Sequence, residues 1–154
     1  MNKIEIVGCV LAGGLSRRMG GLEKAFIPLG GEPLIQHVTQ RLDRQVGVTI
    51  LNANGDATRF RSIFQPIVPD PVEGAVGPLA GVLAGLEWTR ANVSYANWVL
   101  TVACDSPSSI DSRSNRMVRA ATEDPGAHAA ARIRPATAGM NERTLFLGMA
   151  GKRY

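Results

Sequence analysis

The sequence of 154 residues predicts an α/β fold of three layers, in which a mostly parallel sheet is covered by helices on both faces. Two observations support this prediction. Short apolar runs rich in β-branched residues alternate along the chain with longer segments whose apolar residues recur at helical spacing. The short runs are also apolar at successive positions, which is typical of parallel strands that are buried on both faces.

Four strands are predicted before residue 110, and each is a short apolar run that glycine or polar residues bring to an end. They cover residues 4–12, 46–51, 66–69 and 97–104. Each polar segment that follows a strand should lie at the carboxyl edge of the sheet, where ligands of open parallel sheets bind. These segments supply Gly13–Lys24, Asn52, Asp70 and Asp105. Four strands are thus predicted to direct polar residues to one edge.

Two long helices are predicted between the strands. Pro33 should begin the first, which has an apolar face formed by Leu34, Ile35, Val38 and Leu42. Pro78 should begin the second, over residues 78–91, whose small side chains permit close packing on the sheet. Asp56 is placed to cap a shorter helix that would extend through Phe64.

The pattern is weaker beyond residue 110. Ser112 could cap a helix over residues 112–124, and residues 128–134 and 143–149 are strand candidates. The net charge of +4 comes from this part, because residues 1–110 carry nine basic and nine acidic side chains whereas residues 111–154 carry eight and four. Such a tail could attract an anionic partner, although a solvated basic surface explains it equally well.

Several classes of protein are disfavoured. No run approaches the roughly 20 apolar residues that a membrane span requires, and few aromatic residues accompany the basic ones, which argues against nucleic-acid binding. Cys9 and Cys104 are far apart and form no CxxC pair, so neither a zinc site nor a disulfide framework is indicated. Free thiols in apolar runs fit a cytoplasmic protein.

The segment LAGGLSRRMGGLEKA, residues 11–25, follows the first predicted strand and combines glycines with cations. Glycines allow backbone N–H groups to approach phosphate oxygens, and Arg18 and Lys24 could neutralise a triphosphate. The spacing matches neither the dinucleotide-binding nor the P-loop fingerprint. A glycine turn with nearby surface cations is a common alternative, so this segment alone does not establish a nucleotide site.

Asp105 adds the element that a phosphate site would need. A carboxylate at a strand end beside phosphates is suited to holding Mg²⁺, which binds proteins through one or two carboxylates together with substrate oxygens. An Asp before Ser-Pro is also an ordinary turn former. The metal site becomes the favoured interpretation because the glycine segment should lie at the same edge.

These residues resemble the signature of the molybdenum cofactor guanylyltransferase family. LAGGLSRRMGGLEKAFIPLGGEPL is similar to the family's LAGG-x-S-x-RMG-x-x-DK motif with its following L-x-G-x-PL, and Glu23 stands where the family has Asp. The later blocks agree in order and spacing: NAN at 52–54, Asp70, GPLAG at 77–81 and CDSP at 104–107. The resemblance covers residues 6–107 and implies a Rossmann-like nucleotidyltransferase fold that is incomplete at its C-terminus.

The resemblance also implies roles for individual residues. Backbone at Leu11, Ala12 and Gly13 would contact the guanine nucleotide, Lys24 would bind its phosphates, and Asn52 and Asp70 would hold the nucleoside. Asp105 would ligate Mg²⁺ and act in catalysis with Lys24 and Arg18. Further residues at family motif positions are expected to line the site: Gly14, Arg18, Gly77 and Gly81.

The implied reaction is attack by the terminal phosphate of molybdenum-molybdopterin on the α-phosphorus of GTP, which yields molybdopterin guanine dinucleotide and pyrophosphate. Molybdoenzymes or their chaperones are the implied partners. We expect a single domain over residues 1–154, with a nucleotide-binding half at 1–107 and a divergent, partial acceptor-binding half at 108–154. Two alternatives are kept: a nucleotide-binding but catalytically impaired relative, and a nucleotidyltransferase with a different acceptor or base.

Overall fold

The computed structural model describes residues 5–12, 24–72, 77–96, 98–105 and 147–150. Its strands are β1 (Ile6–Leu11), β2 (Pro28–Leu29), β3 (Glu32–Pro33), β4 (Val48–Asn52), β5 (Ile67–Val68), β6 (Trp98–Ala103) and β7 (Leu147–Ala150). Its helices are α1 (Leu34–Asp43) and α2 (Pro78–Asn92). Neither helix of this described part has the length and apolarity needed to cross a membrane.

Five of the strands form one parallel sheet in the order β5-β4-β1-β6-β7. The first predicted strand, β1, lies in the middle, with β4 and β6 paired to its two sides. The prediction of a mostly parallel sheet is therefore confirmed. All four strands predicted before residue 110 are present, each one to three residues shorter than predicted, and β4 ends one residue later than expected, at Asn52.

The two faces of the sheet are covered by different helices, which makes the three predicted layers. Ile6 and Val10 of β1 belong to the apolar cluster that contains Val38 and Leu42 of α1. Val7 and Cys9, which alternate with them, belong to the cluster on α2. Because successive strand residues point to opposite faces, a strand that is apolar throughout is buried on both sides. Each large buried side chain contributes about 1.5–3 kcal/mol.

A short hairpin that the sequence analysis did not predict precedes α1. β2 and β3 pair antiparallel through Gly30 and Gly31, whose φ values of 61° and 91° lie in the left-handed region that favours glycine. Pro33 belongs to β3, so α1 begins one residue later than predicted, at Leu34. His37 of α1 fastens the hairpin, since its Nε2 lies 2.7 Å from the carbonyl oxygen of Leu29.

The helix predicted from Asp56 to Phe64 is wrong in length. Asp56 does cap a helix, accepting a hydrogen bond from the backbone N–H of Thr58 at 2.9 Å, but the helix is a single 3₁₀ turn over Ala57–Phe60. Phe60 is buried whereas Phe64 is 96% exposed, so no continuous apolar face supports further turns. Pro66 also disfavours helical backbone in the residue before it.

Part of the weak C-terminal pattern can be compared with the structure. The strand candidate at residues 143–149 overlaps β7, which pairs with β6. The helix candidate at 112–124 and the strand candidate at 128–134 lie outside the described residues.

Candidate active site

Three neighbouring strands bring their carboxyl ends together. The backbone N–H of Ala12 donates to the carbonyl oxygen of Asn52 at 2.8 Å, and the backbone N–H of Cys104 donates to that of Leu11 at 3.3 Å. Leu11 and Ala12, at the end of the central strand, therefore lie between the ends of β4 and β6. This is the edge at which open parallel sheets bind ligands.

Lys24 and Asp105 lie together on the β6 side of this edge. The Lys24 Nζ is 3.5 Å from Oδ2 of Asp105, and the two side chains are 50% and 27% exposed. An ion pair this accessible stabilises a fold by about 0–1 kcal/mol. The residues that follow Lys24 fix its position in the fold. Ala25 is buried in the core, and Phe26 packs against Phe60 with ring centroids 5.2 Å apart.

The chemistry of the Lys24–Asp105 pair suits a polyphosphate with its counter-ion. The lysine offers a cation with three N–H donors, and the carboxylate is acceptor-only when ionised. Within the described residues, no group of three or more histidine, cysteine or acidic side chains could hold a metal by itself. A single carboxylate is nevertheless a usual protein ligand of Mg²⁺, whose remaining ligands are water and phosphate oxygens.

A second group of polar residues lies on the β4 side. Asn52 is the last residue of β4 and is buried, with 2% of its surface exposed. Its Nδ2 donates to Oδ1 of Asp70 at 2.8 Å and to the carbonyl oxygen of Val68 at 3.1 Å. Asn54 donates through its Nδ2 to the other carboxylate oxygen of Asp70, at 2.6 Å. We call Asn52, Asn54 and Asp70 the asparagine–aspartate cluster.

α2 approaches this cluster at Gly81, in its first turn. Gly77 is the N-cap residue of α2, with a φ of 81°, and Gly81 follows one turn later. A Cβ at Gly81 would overlap Oδ1 of Asn52, so only glycine allows the helix to come this close. Gly81 therefore has a packing reason to be glycine, in addition to the predicted role at the site.

Cys9 lies beneath the same region and is chemically quiet. It is fully buried between the sheet and α2, and its Sγ lies 3.9 Å from the carbonyl oxygen of Gly81. Burial raises the pKa of the Cys9 thiol to about 12, because a thiolate there would lose its hydration. The thiol is thus a packing group, in agreement with its position in an apolar run.

The structure brings together most of the residues predicted for the site that it describes. Backbone contacts join Leu11 and Ala12 to Asn52, and Lys24 lies against Asp105. Asp70 accepts a hydrogen bond from Asn52, and Gly81 packs on Asn52. Gly13, Gly14 and Arg18 lie outside the described residues. Asn54 belongs to the NAN motif, but no role was predicted for it. Its spacing, two residues past Asn52, was the available signal.

Comparison with known proteins identifies the family of this site. Residues 8–146 match the family described as the MobA-like NTP transferase domain. A molybdenum cofactor guanylyltransferase of Mesorhizobium japonicum is 42% identical over 127 residues, which are 82% of this chain and 61% of the relative. One of Rhodopseudomonas palustris (strain BisB5) is 48% identical over 98 residues, 64% of this chain and 47% of that relative. The chain thus spans about half to three fifths of the length of these relatives.

Solved structures agree at the level of the fold. Rv0371c from Mycobacterium tuberculosis H37Rv superposes with a TM-score of 0.56 at 21% identity, over 80% of this chain and 62% of that one. A 4-diphosphocytidyl-2C-methyl-D-erythritol synthase superposes with a TM-score of 0.54 at 15% identity, over 94% and 69%. These likenesses confirm the predicted three-layer, Rossmann-like architecture. By sequence, by fold and by the order of its motifs, the chain belongs to the MobA-like NTP transferase family.

Proposed function

We propose that this protein is a molybdenum cofactor guanylyltransferase, which transfers GMP from GTP to the terminal phosphate of molybdenum-molybdopterin and releases pyrophosphate. The observation that carries this proposal is the approach of Lys24 and Asp105 at the edge where β1 ends. The names of relatives that are 42% and 48% identical point to guanine and to this acceptor.

The chemistry needs no activated side-chain nucleophile. A phosphate monoester has a second pKa of about 6, so the acceptor is already an anionic nucleophile at neutral pH. One of its oxygens forms a bond to the α-phosphorus of GTP as the bond from that phosphorus to the β-phosphate oxygen breaks. The protein then has to hold both reactants in line and stabilise negative charge on the phosphate oxygens.

Lys24 is the described residue best suited to that electrostatic work. Its ammonium group would bind oxygens of the triphosphate, and we assign Arg18 a parallel role on the predicted glycine segment. Backbone at Leu11, Ala12, Gly13 and Gly14 would face the nucleotide without intervening side chains. None of these groups needs to exchange a proton during the transfer, which agrees with a site built from cations and backbone.

The donor set fits Mg²⁺. Asp105 would hold the ion, since its partly exposed carboxylate lies beside the cation proposed to bind the phosphates. Bound Mg²⁺ would supply neutralisation of charge on the triphosphate oxygens. Lys24 and Asp105 would then make separate contacts to one ligand, the lysine to its oxygens directly and the aspartate through the ion.

The asparagine–aspartate cluster would receive the nucleoside, and we assign Gly81 of α2 and its N-cap residue Gly77 to the lining of the other side. Molybdoenzymes or their chaperones would receive the product. The cytoplasm suits this reaction, since Cys9 and Cys104 are both free thiols, as in a reducing compartment.

The proposal is tested by pyrophosphate release. The purified chain is mixed with Mg²⁺, molybdenum-molybdopterin and GTP, CTP or ATP in turn, and pyrophosphate is followed by a coupled assay. We expect release with GTP only, and only when the acceptor is present. Calorimetric binding of GTP without any release would favour the impaired relative, and preferential binding of CTP or ATP would contradict the guanine assignment.

A further inference from the structure

Asn54 makes a paired contact with Asp70 that the proposed reaction does not by itself require. Its Nδ2 donates to Oδ2 of Asp70 at 2.6 Å, and its Oδ1 accepts from the backbone N–H of Asp70 at 2.8 Å. Both polar atoms of one side chain are thus used to hold one aspartate. The bond to the carboxylate oxygen is charge-assisted and therefore stronger than a bond between neutral groups.

The other oxygen of Asp70 acts on Asn52. Oδ1 accepts one N–H of the Asn52 amide, and the carbonyl of Val68 accepts from the same nitrogen. Rotating this amide by 180° would turn its oxygen toward two acceptors, so Asp70 and Val68 together fix its orientation. Asn52 consequently presents only its oxygen, an acceptor, toward Gly81 at the start of α2.

Arg59 fixes the main chain of Asn54. Arg59 donates through Nη2 to the carbonyl oxygen of Asn54 at 2.8 Å and through Nε to that of Asp56 at 3.1 Å. The loop between β4 and the 3₁₀ turn is therefore closed by its own side chains, and Asn54 is fixed through both its main chain and its amide.

We propose that Asn54 is a positioning residue for the nucleoside half of the site: it fixes the Asp70 carboxylate, which in turn fixes Asn52. This inference rests on the proposed function, because it assumes that Asn52 and Asp70 receive the nucleoside of GTP. Asn54 touches neither reacting atom. Its contribution is to keep the receiving groups in one orientation before the nucleotide arrives, which lowers the ordering cost of binding.

A positioning role for Asn54 can be distinguished by measurement from a general stabilising role. If Asn54 only supported the fold, its loss would weaken every ligand of the site alike. If it positions the nucleoside half, its loss weakens the binding of GTP. The binding of inorganic tripolyphosphate, which has no nucleoside, then stays unchanged. The two ligands therefore separate positioning from stability.

The experiment measures the binding of GTP and of tripolyphosphate, each with Mg²⁺, by calorimetry on the full chain. We expect Asn54→Ala to weaken GTP about tenfold, a loss in the range of one charged hydrogen bond, and tripolyphosphate by less than about twofold. Because Asn54 acts through Asp70, adding Asn54→Ala to Asp70→Ala should weaken GTP by less than about twofold further. The inference is overturned if Asn54→Ala leaves GTP affinity unchanged or lowers the affinity for both ligands equally. It is also overturned if Asn54→Ala still weakens GTP binding about tenfold in the Asp70→Ala background.

The chain offers a matched control. Gln65 donates through Nε2 to Oδ2 of Asp43 at 2.9 Å, the same kind of amide–carboxylate bond, just before the amino end of β5. Gln65→Ala should leave the binding of both ligands unchanged. Should Asn54→Ala fail to fold, Asn54→Asp keeps the shape but replaces the donor with a carboxylate oxygen that faces Asp70. The lost hydrogen bond and the added repulsion should together weaken GTP binding at least as much as Asn54→Ala. Wild-type protein that binds no GTP would refute the proposed function, whereas GTP binding that is indifferent to Asn54 would refute this inference alone.

Discussion

The two sides of the candidate site are built in opposite ways. On the β6 side, Lys24 and Asp105 meet as a partly exposed ion pair with a separation of 3.5 Å. On the β4 side, Asn52, Asn54 and Asp70 form short hydrogen bonds around a buried asparagine. Charge acts over several ångströms and tolerates movement, whereas hydrogen bonds lose strength with small changes of distance and angle. The difference supports the proposal that the first side binds the phosphates and that the second recognises the nucleoside.

The largest expected effect is on the charged side. Asp105→Asn keeps the shape of the side chain and removes its charge, so Mg²⁺-dependent turnover should fall by a factor on the order of 100–1,000, as when one transition-state contact is removed. The melting temperature should barely change, since the lost ion pair is partly exposed and contributes little to stability. Asp43→Asn, at the end of α1, is the matched control. Unchanged turnover and Mg²⁺ requirement in Asp105→Asn would contradict the assignment.

A smaller effect is expected at the cation. Lys24→Ala should weaken GTP binding by a factor of about 10–100, in keeping with the loss of charge-assisted hydrogen bonds. The binding of guanosine should not change, because guanosine has no phosphates. Calorimetry with both ligands measures the ratio. Arg90→Ala removes an exposed cation near the end of α2 and should change neither. Equal losses on GTP and guanosine would show that the variant is misfolded instead of short of one phosphate contact.

On the hydrogen-bonded side, an added side chain at Gly81 should lower both stability and GTP affinity. Gly81→Ala would gain about 1 kcal/mol of helix propensity, but its Cβ would overlap Oδ1 of Asn52 and overpacking costs about 1–3 kcal/mol. We therefore expect a modest net loss of stability in denaturant titrations, together with weaker GTP binding. Gly30→Ala, in the β2–β3 turn with nothing near its added Cβ, should lose stability through its φ alone and keep its GTP affinity. GTP affinity that survives Gly81→Ala would mean that Asn52 need not hold its position.

The smallest expected difference is in the reactivity of the two thiols, one on each side of the site. Cys9, under the asparagine–aspartate cluster, has a pKa of about 12 and is buried, so it should resist iodoacetamide in the native state at pH 8. Cys104, beside Asp105, is only partly buried and should react first. Mass spectrometry of the labelled protein gives the order. Rapid labelling of Cys9 would show that the sheet and α2 separate in solution.

Much of this arrangement could be predicted from the sequence, because its cause is local. A run such as IVGCVL in β1 has no polar face, so it had to become a strand covered on both sides. Lys24 and Asp105 follow separate strands, and parallel strands send their carboxyl ends to one edge, so their approach followed from the strand assignment. Asn54 and the β2–β3 hairpin were missed for different reasons. The Gly30–Gly31 turn was a readable hairpin signal, whereas the partner of Asn54, 16 residues away, was not.

The sequence by itself determined the alternation of strands and helices, the edge at which the polar residues gather and the family to which the motifs belong. All three follow from periodicity and residue order, which act over short stretches of chain. Tertiary structure alone decided that Asp70 is shared between two asparagines, that Asn52 can offer only an acceptor, and that Gly81 must lack a side chain. These facts depend on distances between β4, β5 and α2, and such distances are set only when the helix packs on the sheet.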